Sequence, residues 1–203
     1  MEPRPAATVI VARDLPRASR PAIEFLVIRR TAWSRFAPGF VVFPGGVVEE
    51  RDRELAERWF GEASYAPRAC AVRELSEEAG LVLTKDGLVE APGRLPGEDG
   101  LMPPDAAQIR EIARWVAPDF LPVRFDAHFF AVAVAGEANP APDGVEADRA
   151  WWSTAEDVLA ATRAGDAPLM WPTLRMLQVL AECRSISDVL DLDVEQIAPP
   201  SPV

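Results

Sequence analysis

The stretch Arg73-Glu-Leu-Ser-Glu-Glu-Ala-Gly-Leu81 decides the fold of this 203-residue chain and carries its most informative chemistry. It ends a segment, Ala66 to Ala79, whose residues favour a helix. Pro67 falls in the first turn, and Gly80 follows the last turn, where helices often end on glycine. Ser64 is the predicted N-cap, because a serine hydroxyl can accept a hydrogen bond from the free backbone N–H groups at a helix start.

Three glutamates of this helix share one face, because residues three and four positions apart are neighbours on a helix surface. They are Glu74, Glu77 and Glu78. The opposite side is apolar and is expected to face a core; it consists of Val72, Leu75 and Ala79. Like charges at these spacings destabilise a helix by about 0.2–0.5 kcal/mol per pair, whereas clustered carboxylates are good ligands for Mg²⁺ or Mn²⁺. The helix is therefore a candidate metal site, and the alternative is a solvated acidic face.

The charge balance restricts the classes of partner. The chain has 21 Lys and Arg against 32 Asp and Glu, so its formal net charge is −11, which is unfavourable for binding nucleic acid through phosphate contacts. No apolar run approaches the length of a membrane span, and the start, Met1-Glu-Pro-Arg-Pro, lacks the layout of a signal peptide. With one His and two Cys, neither a multi-histidine metal site nor a disulfide framework is expected. We therefore expect a soluble, cytoplasmic protein that binds neither nucleic acid nor membranes.

Strands and helices are mixed along the chain, and no linker divides it, which favours one α/β domain. The predicted strands are Ala7–Ala12, Ile23–Ile28, Phe40–Phe43 with a brief continuation at Val47–Val48, Val123–Val134 and Ala150–Trp152. The predicted helices are Arg53–Phe60, Ala66–Ala79, Asp105–Val116, Thr154–Ala164 and Pro172–Arg184, with a last turn near Ser187–Leu192. Ala91–Pro104 and Asn139–Asp148 are expected to be loops, and the tail from Ala198 is expected to fray.

A second motif, Phe43-Pro-Gly-Gly46, lies upstream of the helix, and its two glycines allow close approach of backbone or ligand. Together with Arg73–Leu81 it resembles the signature of the Nudix hydrolase superfamily, which reads Gly, five residues, Glu, seven residues, then Arg-Glu-apolar-x-Glu-Glu-x-Gly-apolar. The second half matches at every defined position. The resemblance implies a single Nudix domain over residues 1–203, an α/β/α sandwich with a mixed β-sheet.

The resemblance also implies roles for particular residues. Mg²⁺ or Mn²⁺ would be bound by Glu74, Glu77 and Glu78. Arg73 would orient the carboxylates, and Gly45 and Gly46 would position the metal-bound phosphate. Glu77, Arg73 and Glu146 are the candidate catalytic residues; Glu146 is included because Nudix enzymes often take an extra carboxylate from a late loop, although a solvated loop residue is the alternative.

The chain departs from the signature in one place. The stretch from Val47 to Val72 is about twice as long as the signature allows. Counting forward from Gly46 places the signature's first Glu at Asp52, whereas counting back from Arg73 places it at Tyr65, and both remain open. We expect an insertion at about 50–63, an amphipathic helix lying over the site, and a C-terminal helical segment at about 172–192.

A third stretch, Leu26 to Gly46, resembles the element that marks coenzyme A diphosphatases within the superfamily. Arg30, Arg35, Gly39 and the block Phe43–Gly46 keep its spacing, whereas Ile28 and Thr31 depart from it. The resemblance implies that Arg30, Arg35, Gly45 and Gly46 bind substrate. Since neighbouring strand residues face opposite sides, Arg29 and Arg30 cannot line the same pocket.

An interrupted signature followed by Arg124-Phe-Asp126 also resembles the peroxisomal branch that cleaves acyl-CoA, although the end Ser-Pro-Val is not a peroxisomal address. The predicted reaction is hydrolysis of the pyrophosphate bond of coenzyme A or acyl-CoA to 4′-phosphopantetheine and 3′,5′-ADP. A homodimer is the candidate assembly. The alternatives are a pyrophosphatase for NADH, ADP-ribose or a nucleoside triphosphate, and a non-catalytic Nudix domain that senses a nucleotide.

Overall fold

A computed structural model of the chain describes residues 2–15, 22–119, 121 and 123–196. Its strands are β1 (Arg4–Asp14), β2 (Ile23–Arg30), β3 (Val41–Val42), β4 (Gly45–Val47), β5 (Leu81–Thr84), β6 (Gly87–Glu90), β7 (Arg110–Val116), β8 (Phe125–Ala133) and β9 (Ala147–Thr154). Its α-helices are α1 (Glu50–Phe60), α2 (Ala66–Ala79), α3 (Ala155–Ala164), α4 (Trp171–Leu180) and α5 (Ile186–Leu190). The expected frayed tail lies outside the described residues.

The main sheet is mixed. Its strand order is β3-β2-β1-β8-β7, and β4 and β9 pair with β1 and β2 respectively. The central β1 runs parallel to β8 and antiparallel to β2 and β4. A separate hairpin, β5–β6, follows α2 directly.

Helices cover both faces of this sheet because the side chains of its central strands alternate between two apolar cores. In β1, Val9 and Val11 pack with α1 and α2, whereas Ile10 and Ala12 pack with α3, α4 and α5. The expected α/β/α sandwich with a mixed sheet is confirmed. Within the part of the chain that the structure describes, no helix is long and apolar enough to cross a membrane.

The predicted helix over Asp105–Val116 is wrong. A 3₁₀ turn at Ala106–Gln108 leads into β7, which pairs with β8 along the edge of the sheet. The register shifts between Glu111 and Ala113, so Ile112 and Ala113 are both buried. This irregularity removes the strict alternation by which a strand is recognised, and the remaining apolar spacing imitates a helix.

Several predicted boundaries also change. Ser64 is not the N-cap of α2, because it lies within a 3₁₀ turn, Ala63–Tyr65, that precedes the helix, and Tyr65 takes the cap position. Helix α1 begins at Glu50, three residues before the predicted start, and α4 ends at Leu180 rather than at Arg184. Gly80 ends α2 in the left-handed conformation at φ 65°, as its position predicted.

Candidate active site

Arg73 is the hub of a buried charge network on α2. Its Nε and Nη2 lie 2.7 and 3.0 Å from the two carboxylate oxygens of Asp52. Its Nη1 lies 2.8 Å from Glu74 Oε1 and 2.7 Å from Glu77 Oε2. The guanidinium is almost completely buried, so its charge-assisted contacts with Asp52 and Glu74 are shielded from water. Arg73 thus sets the direction of both glutamates next to it.

Asp52 comes from α1 and is the residue that the sequence left undecided. Its side chain is fully buried, and its Oδ2 also accepts a hydrogen bond from the backbone N–H of Glu49 (2.8 Å), which completes the capping box of α1. Tyr65, the other candidate, lies at the start of α2 and packs against Phe60. The forward count from Gly46 was therefore the informative signal, and Asp52 is the acid that faces Arg73.

A cluster of three carboxylates, Glu74, Glu78 and Glu146, lies beside this hub. Each offers one oxygen, and these oxygens lie within 4.8 Å of one another. Glu74 and Glu78 are buried, whereas Glu146 is exposed. Burial raises the pKa of Glu74 to about 7, although Arg73 opposes the shift. Burial also raises the pKa of Glu78, and the nearby charge of Glu74 raises it further. Close, buried oxygen ligands fit a hard divalent cation, which would compensate the buried charge.

Glu77 has a different environment from the other two glutamates of α2. Its side chain is 39% exposed and lies between two arginines, 2.7 Å from Arg73 Nη1 and 3.1 Å from Arg51 Nη1. Glu74 and Glu78 therefore lie together with Glu146, whereas Glu77 lies beside them, between Arg51 and Arg73. We call this arrangement the arginine bridge.

The loop that carries Glu146 is fixed on both sides. Asp143 Oδ1 accepts hydrogen bonds from the backbone N–H groups of Val145 and Glu146, each at 3.0 Å. The backbone N–H of Thr31, at the end of β2, donates to the carbonyl oxygen of Glu146 at 3.0 Å. These contacts place an acid that is distant in sequence next to α2.

Gly45 and Gly46 bring β4 into contact with both β1 and α2. A Cβ on Gly45 would lie 2.8 Å from Thr8 Cα, and one on Gly46 would overlap Glu74 Oε1. The backbone N–H of Gly45 donates to Glu78 Oε2 at 2.9 Å. The close approach expected for the two glycines is confirmed, and their backbone lies directly against the carboxylate cluster.

Arg29 and Arg30 lie on opposite faces of β2, as strand alternation predicted. Arg30 Nη1 lies 3.5 Å from Glu78 Oε1, and its Nε donates to the carbonyl oxygen of Phe36 at 3.0 Å. Arg29 instead pairs with Asp148 at 2.7 Å. Arg35, in the loop after β2, is exposed and forms no ion pair with any residue that the structure describes.

Comparison with known proteins assigns this chain to a family. Residues 2–174 match the family model described as the NUDIX domain. The chain belongs to the Nudix family. Its fold is similar to the crystal structure of a NUDIX hydrolase from Alicyclobacillus acidocaldarius, with a TM-score of 0.79 and 32% identity, over 98% of this chain and 99% of the other.

Two further proteins match over a smaller share of this chain. The chain is 37% identical to the putative nudix hydrolase 7 of Caenorhabditis elegans over 84 residues, which are 41% of this chain and only 24% of that curated relative. The NUDIX domain of Shewanella oneidensis NrtR, solved with ADP ribose, has a TM-score of 0.56 at 12% identity, over 88% of this chain and 86% of the other, and shares the fold.

The Nudix assignment explains why acids are buried at this site. Nudix hydrolases act on pyrophosphate bonds of nucleotide conjugates and generally use divalent metal ions, and this chain is a member of that class. A diphosphate is itself polyanionic, so a site lined by carboxylates can hold it only with a cation between them.

Proposed function

We propose that this Nudix enzyme hydrolyses the pyrophosphate bond of coenzyme A or acyl-CoA, giving 3′,5′-ADP and 4′-phosphopantetheine or, from acyl-CoA, its S-acyl ester. The observation that carries the proposal is the position of Arg30, within 3.5 Å of the buried carboxylate of Glu78. This arginine belongs to the Leu26–Gly46 stretch that resembles the coenzyme A element, so the element adjoins the acidic cluster. Arg35 lies in the loop that follows β2 and is exposed, so that it can contact a second anionic group.

The carboxylates of Glu74, Glu78 and Glu146 would hold Mg²⁺ or Mn²⁺, with Glu77 as a further candidate ligand. When bound, such a cation neutralises the diphosphate and lowers the pKa of a bound water. Arg73 holds Glu74 and Glu77 in place, and Asp52 in turn holds Arg73. The exposed acids Glu77 and Glu146 are the candidates for taking the proton from the attacking water.

Gly45 and Gly46 would leave room for phosphate beside the cluster. Because a side chain at Gly46 would occupy the space of the Glu74 carboxylate, only backbone can line this edge. The backbone N–H of Gly45 keeps Glu78 in position through its hydrogen bond of 2.9 Å. Helix α1 carries most of the proposed insertion at about 50–63. Asp52 within it stands at the signature's own spacing from Gly46, so the added residues follow Asp52, and Asp52 itself supports the hub.

Coenzyme A differs from NADH and ADP-ribose by its 3′-phosphate, which needs an additional cation in a protein of net charge −11. Arg35 is the best candidate, because its guanidinium is exposed and forms no ion pair within the described part of the chain. A charge-assisted contact of this kind contributes about 1.5–3 kcal/mol. Arg30 is the second candidate, although its contact with Glu78 also ties it to the carboxylate cluster.

A cycle of variants and substrates tests this proposal. Arg35→Ala should lower kcat/KM on coenzyme A by roughly ten- to a hundredfold, and on dephospho-CoA much less. Arg30→Ala should lower both values, with the larger loss on coenzyme A. Arg163→Ala is the matched control, since Arg163 is an exposed arginine of α3 on the opposite face of the sheet.

Equal losses on the two substrates would show that these arginines do not read the 3′-phosphate. A panel of nucleotide conjugates with products identified by mass gives the broader test. A wild-type preference for NADH, ADP-ribose or a nucleoside triphosphate would replace the coenzyme A branch and leave pyrophosphate hydrolysis standing. Binding without turnover of any conjugate would instead favour a nucleotide-sensing domain.

A further inference from the structure

Three large apolar side chains are exposed on two loops at one end of the sheet. Trp33 is 71% exposed and Phe36 is 44% exposed, both in the loop between β2 and β3. Val145 is 68% exposed in the loop before β9. We call Trp33, Phe36 and Val145 the apolar rim. Clustered exposed apolar side chains on a folded domain mark surfaces that bind something.

The two loops are joined through Thr31, which is fully buried. Its hydroxyl donates to the carbonyl oxygen of Val145 at 3.1 Å and shares a hydrogen bond of 2.9 Å with the hydroxyl of Ser34. Its carbonyl oxygen accepts from the backbone N–H of Ser34 at 3.1 Å. Trp33 lies between Thr31 and Ser34 in the chain, so the hydrogen bonds of Thr31 hold both Trp33 and Val145 in place.

The apolar rim is also continuous with the carboxylate cluster. The carbonyl oxygen of Phe36 accepts from Arg30 Nε at 3.0 Å, and Nη1 of the same guanidinium lies 3.5 Å from Glu78. Val145 directly precedes Glu146, whose carboxylate completes the cluster. In each loop, an exposed apolar residue is thus separated from a candidate metal ligand by no more than one intervening side chain.

The loop between β2 and β3 is a fixed structure. Ala37 adopts a left-handed conformation at φ 47°, which costs an alanine on the order of 1 kcal/mol. Backbone hydrogen bonds join Arg30 to Phe40 at 2.9 Å and Gly39 to Arg30 at 3.2 Å, and the ring of Phe36 packs edge-on against Phe125. The loop therefore presents its aromatic side chains in a preformed arrangement.

We propose that the apolar rim binds the pantetheine–acyl arm of the substrate. This inference rests on the proposed function, since coenzyme A held by its diphosphate at the carboxylate cluster has one charged nucleotide arm and one uncharged pantetheine arm, which in acyl-CoA ends in an apolar chain. The nucleotide arm needs cations, whereas the apolar rim offers aromatic and aliphatic surface next to the same cluster. Since Arg35 lies between Trp33 and Phe36, both arms would meet the loop between β2 and β3, the 3′-phosphate at the guanidinium and the acyl arm at the apolar side chains. The apolar rim therefore makes the enzyme prefer acyl-CoA over free coenzyme A.

Chain-length dependence tests this inference. The wild-type enzyme should give a higher kcat/KM on octanoyl- and lauroyl-CoA than on coenzyme A. Trp33→Ala should lower kcat/KM about tenfold on lauroyl-CoA, less on octanoyl-CoA, and about twofold or less on coenzyme A, because an indole buries a large apolar area. Trp33→Phe should restore most of the loss. Met102→Ala removes an exposed apolar side chain (53% exposed) from another loop and serves as the control.

The possible outcomes separate the two proposals. Turnover of coenzyme A with equal losses on every acyl length would overturn the role of the apolar rim and leave the proposed function intact. Failure of the wild type to cleave coenzyme A and its esters would overturn both. Light scattering, which measures the mass in solution, tests the remaining alternative, a second copy of this chain bound at the apolar rim. If Trp33→Ala converts a dimer to a monomer without changing acyl preference, the apolar rim contacts a second copy of this chain, and the inference is wrong.

Discussion

The two faces of the main sheet are built from the same strands but enclose different kinds of core. The face covered by α1 and α2 buries four charged side chains among its aliphatic ones: Asp52, Arg73, Glu74 and Glu78. On the other face, α3, α4 and α5 contribute only Thr173 to the buried polar side chains of the described residues. The first face thus carries the cost of buried charge, whereas the second buries no charged side chain among the described residues.

The contrast between the two faces indicates that stability and chemistry are separable in this protein. Buried charges rarely improve stability over apolar packing of the same volume, so a face that keeps them has another use. Substitutions on the charged face should therefore change turnover more than folding, unless they break the Asp52–Arg73 pair. Substitutions on the apolar face should change folding alone.

Removal of divalent metal should have the largest effect. Excess EDTA should abolish hydrolysis, because the carboxylate cluster would then repel the diphosphate, and Mg²⁺ or Mn²⁺ should restore it. The measurement is product release at fixed substrate with and without chelator. Full activity in EDTA would mean that Glu74, Glu78 and Glu146 are not a metal site, and the contrast between the two faces would lose its functional meaning.

Neutralising one carboxylate of the cluster should have the second-largest effect. Glu78→Gln and Glu74→Gln should each lower kcat by about a hundredfold or more, since each removes a major electrostatic contribution. Glu78→Gln should keep or raise the melting temperature, because it removes a buried charge while its side-chain oxygen can still accept from the Gly45 N–H. Unfolding of that variant would show that the cluster is structural.

Breaking the buried Asp52–Arg73 pair should affect stability as well as chemistry. Asp52→Asn should lower the free energy of unfolding by about 3–5 kcal/mol, because the Arg73 guanidinium is left buried with part of its charge unpaired. Denaturant titration measures the effect, and Glu54→Gln, at an exposed acid of the same helix, is the control. If Asp52→Asn folds as stably as the wild type, α1 does not support the hub.

A cavity created by mutation on the face covered by α3, α4 and α5 should affect folding alone. Leu177 of α4 is fully buried, and Leu177→Ala should lower the free energy of unfolding by about 2–5 kcal/mol. The turnover number per folded molecule should remain that of the wild type at a temperature where the variant is folded. A selective loss of kcat would indicate that the two faces are coupled through the sheet.

The smallest effect is expected at the outer edge of the charged face. Arg51 and Glu77 are 50% and 39% exposed, and exposed ion pairs contribute at most about 1 kcal/mol. Arg51→Ala should therefore leave unfolding nearly unchanged and alter kcat by about twofold or less. A large fall in kcat would show that the arginine bridge around Glu77, and with it the placement of that acid, matters to the reaction.

The sequence predicted α2 and its glutamates because their signals are local. Helical spacing, Pro67 and Gly80 act within one segment, and the structure places Val72, Leu75 and Ala79 in the core as the spacing indicated. Strand β7 was misassigned because its register shift hides the alternation of a strand.

Other features depend on contacts that no local pattern contains. The choice between Asp52 and Tyr65 required knowing which residue of the longer stretch faces Arg73. The separation of Glu77 from Glu74 and Glu78 depends on the two arginines that hold it, one of which comes from α1. Non-local ion pairs of this kind are set by the packing of α1 on α2.

The position of Asp52 has a consequence for how the family's signature can vary. Asp52 follows Gly46 at the signature's own spacing, so the added residues fall entirely between it and Arg73. Both halves of the motif thus keep their spacing across the interruption, with Asp52 in place of the signature's Glu. The exposed turn at Gly61 and Glu62 is where further residues could enter at little cost, since each doubling of a flexible loop costs only about 0.6 kcal/mol.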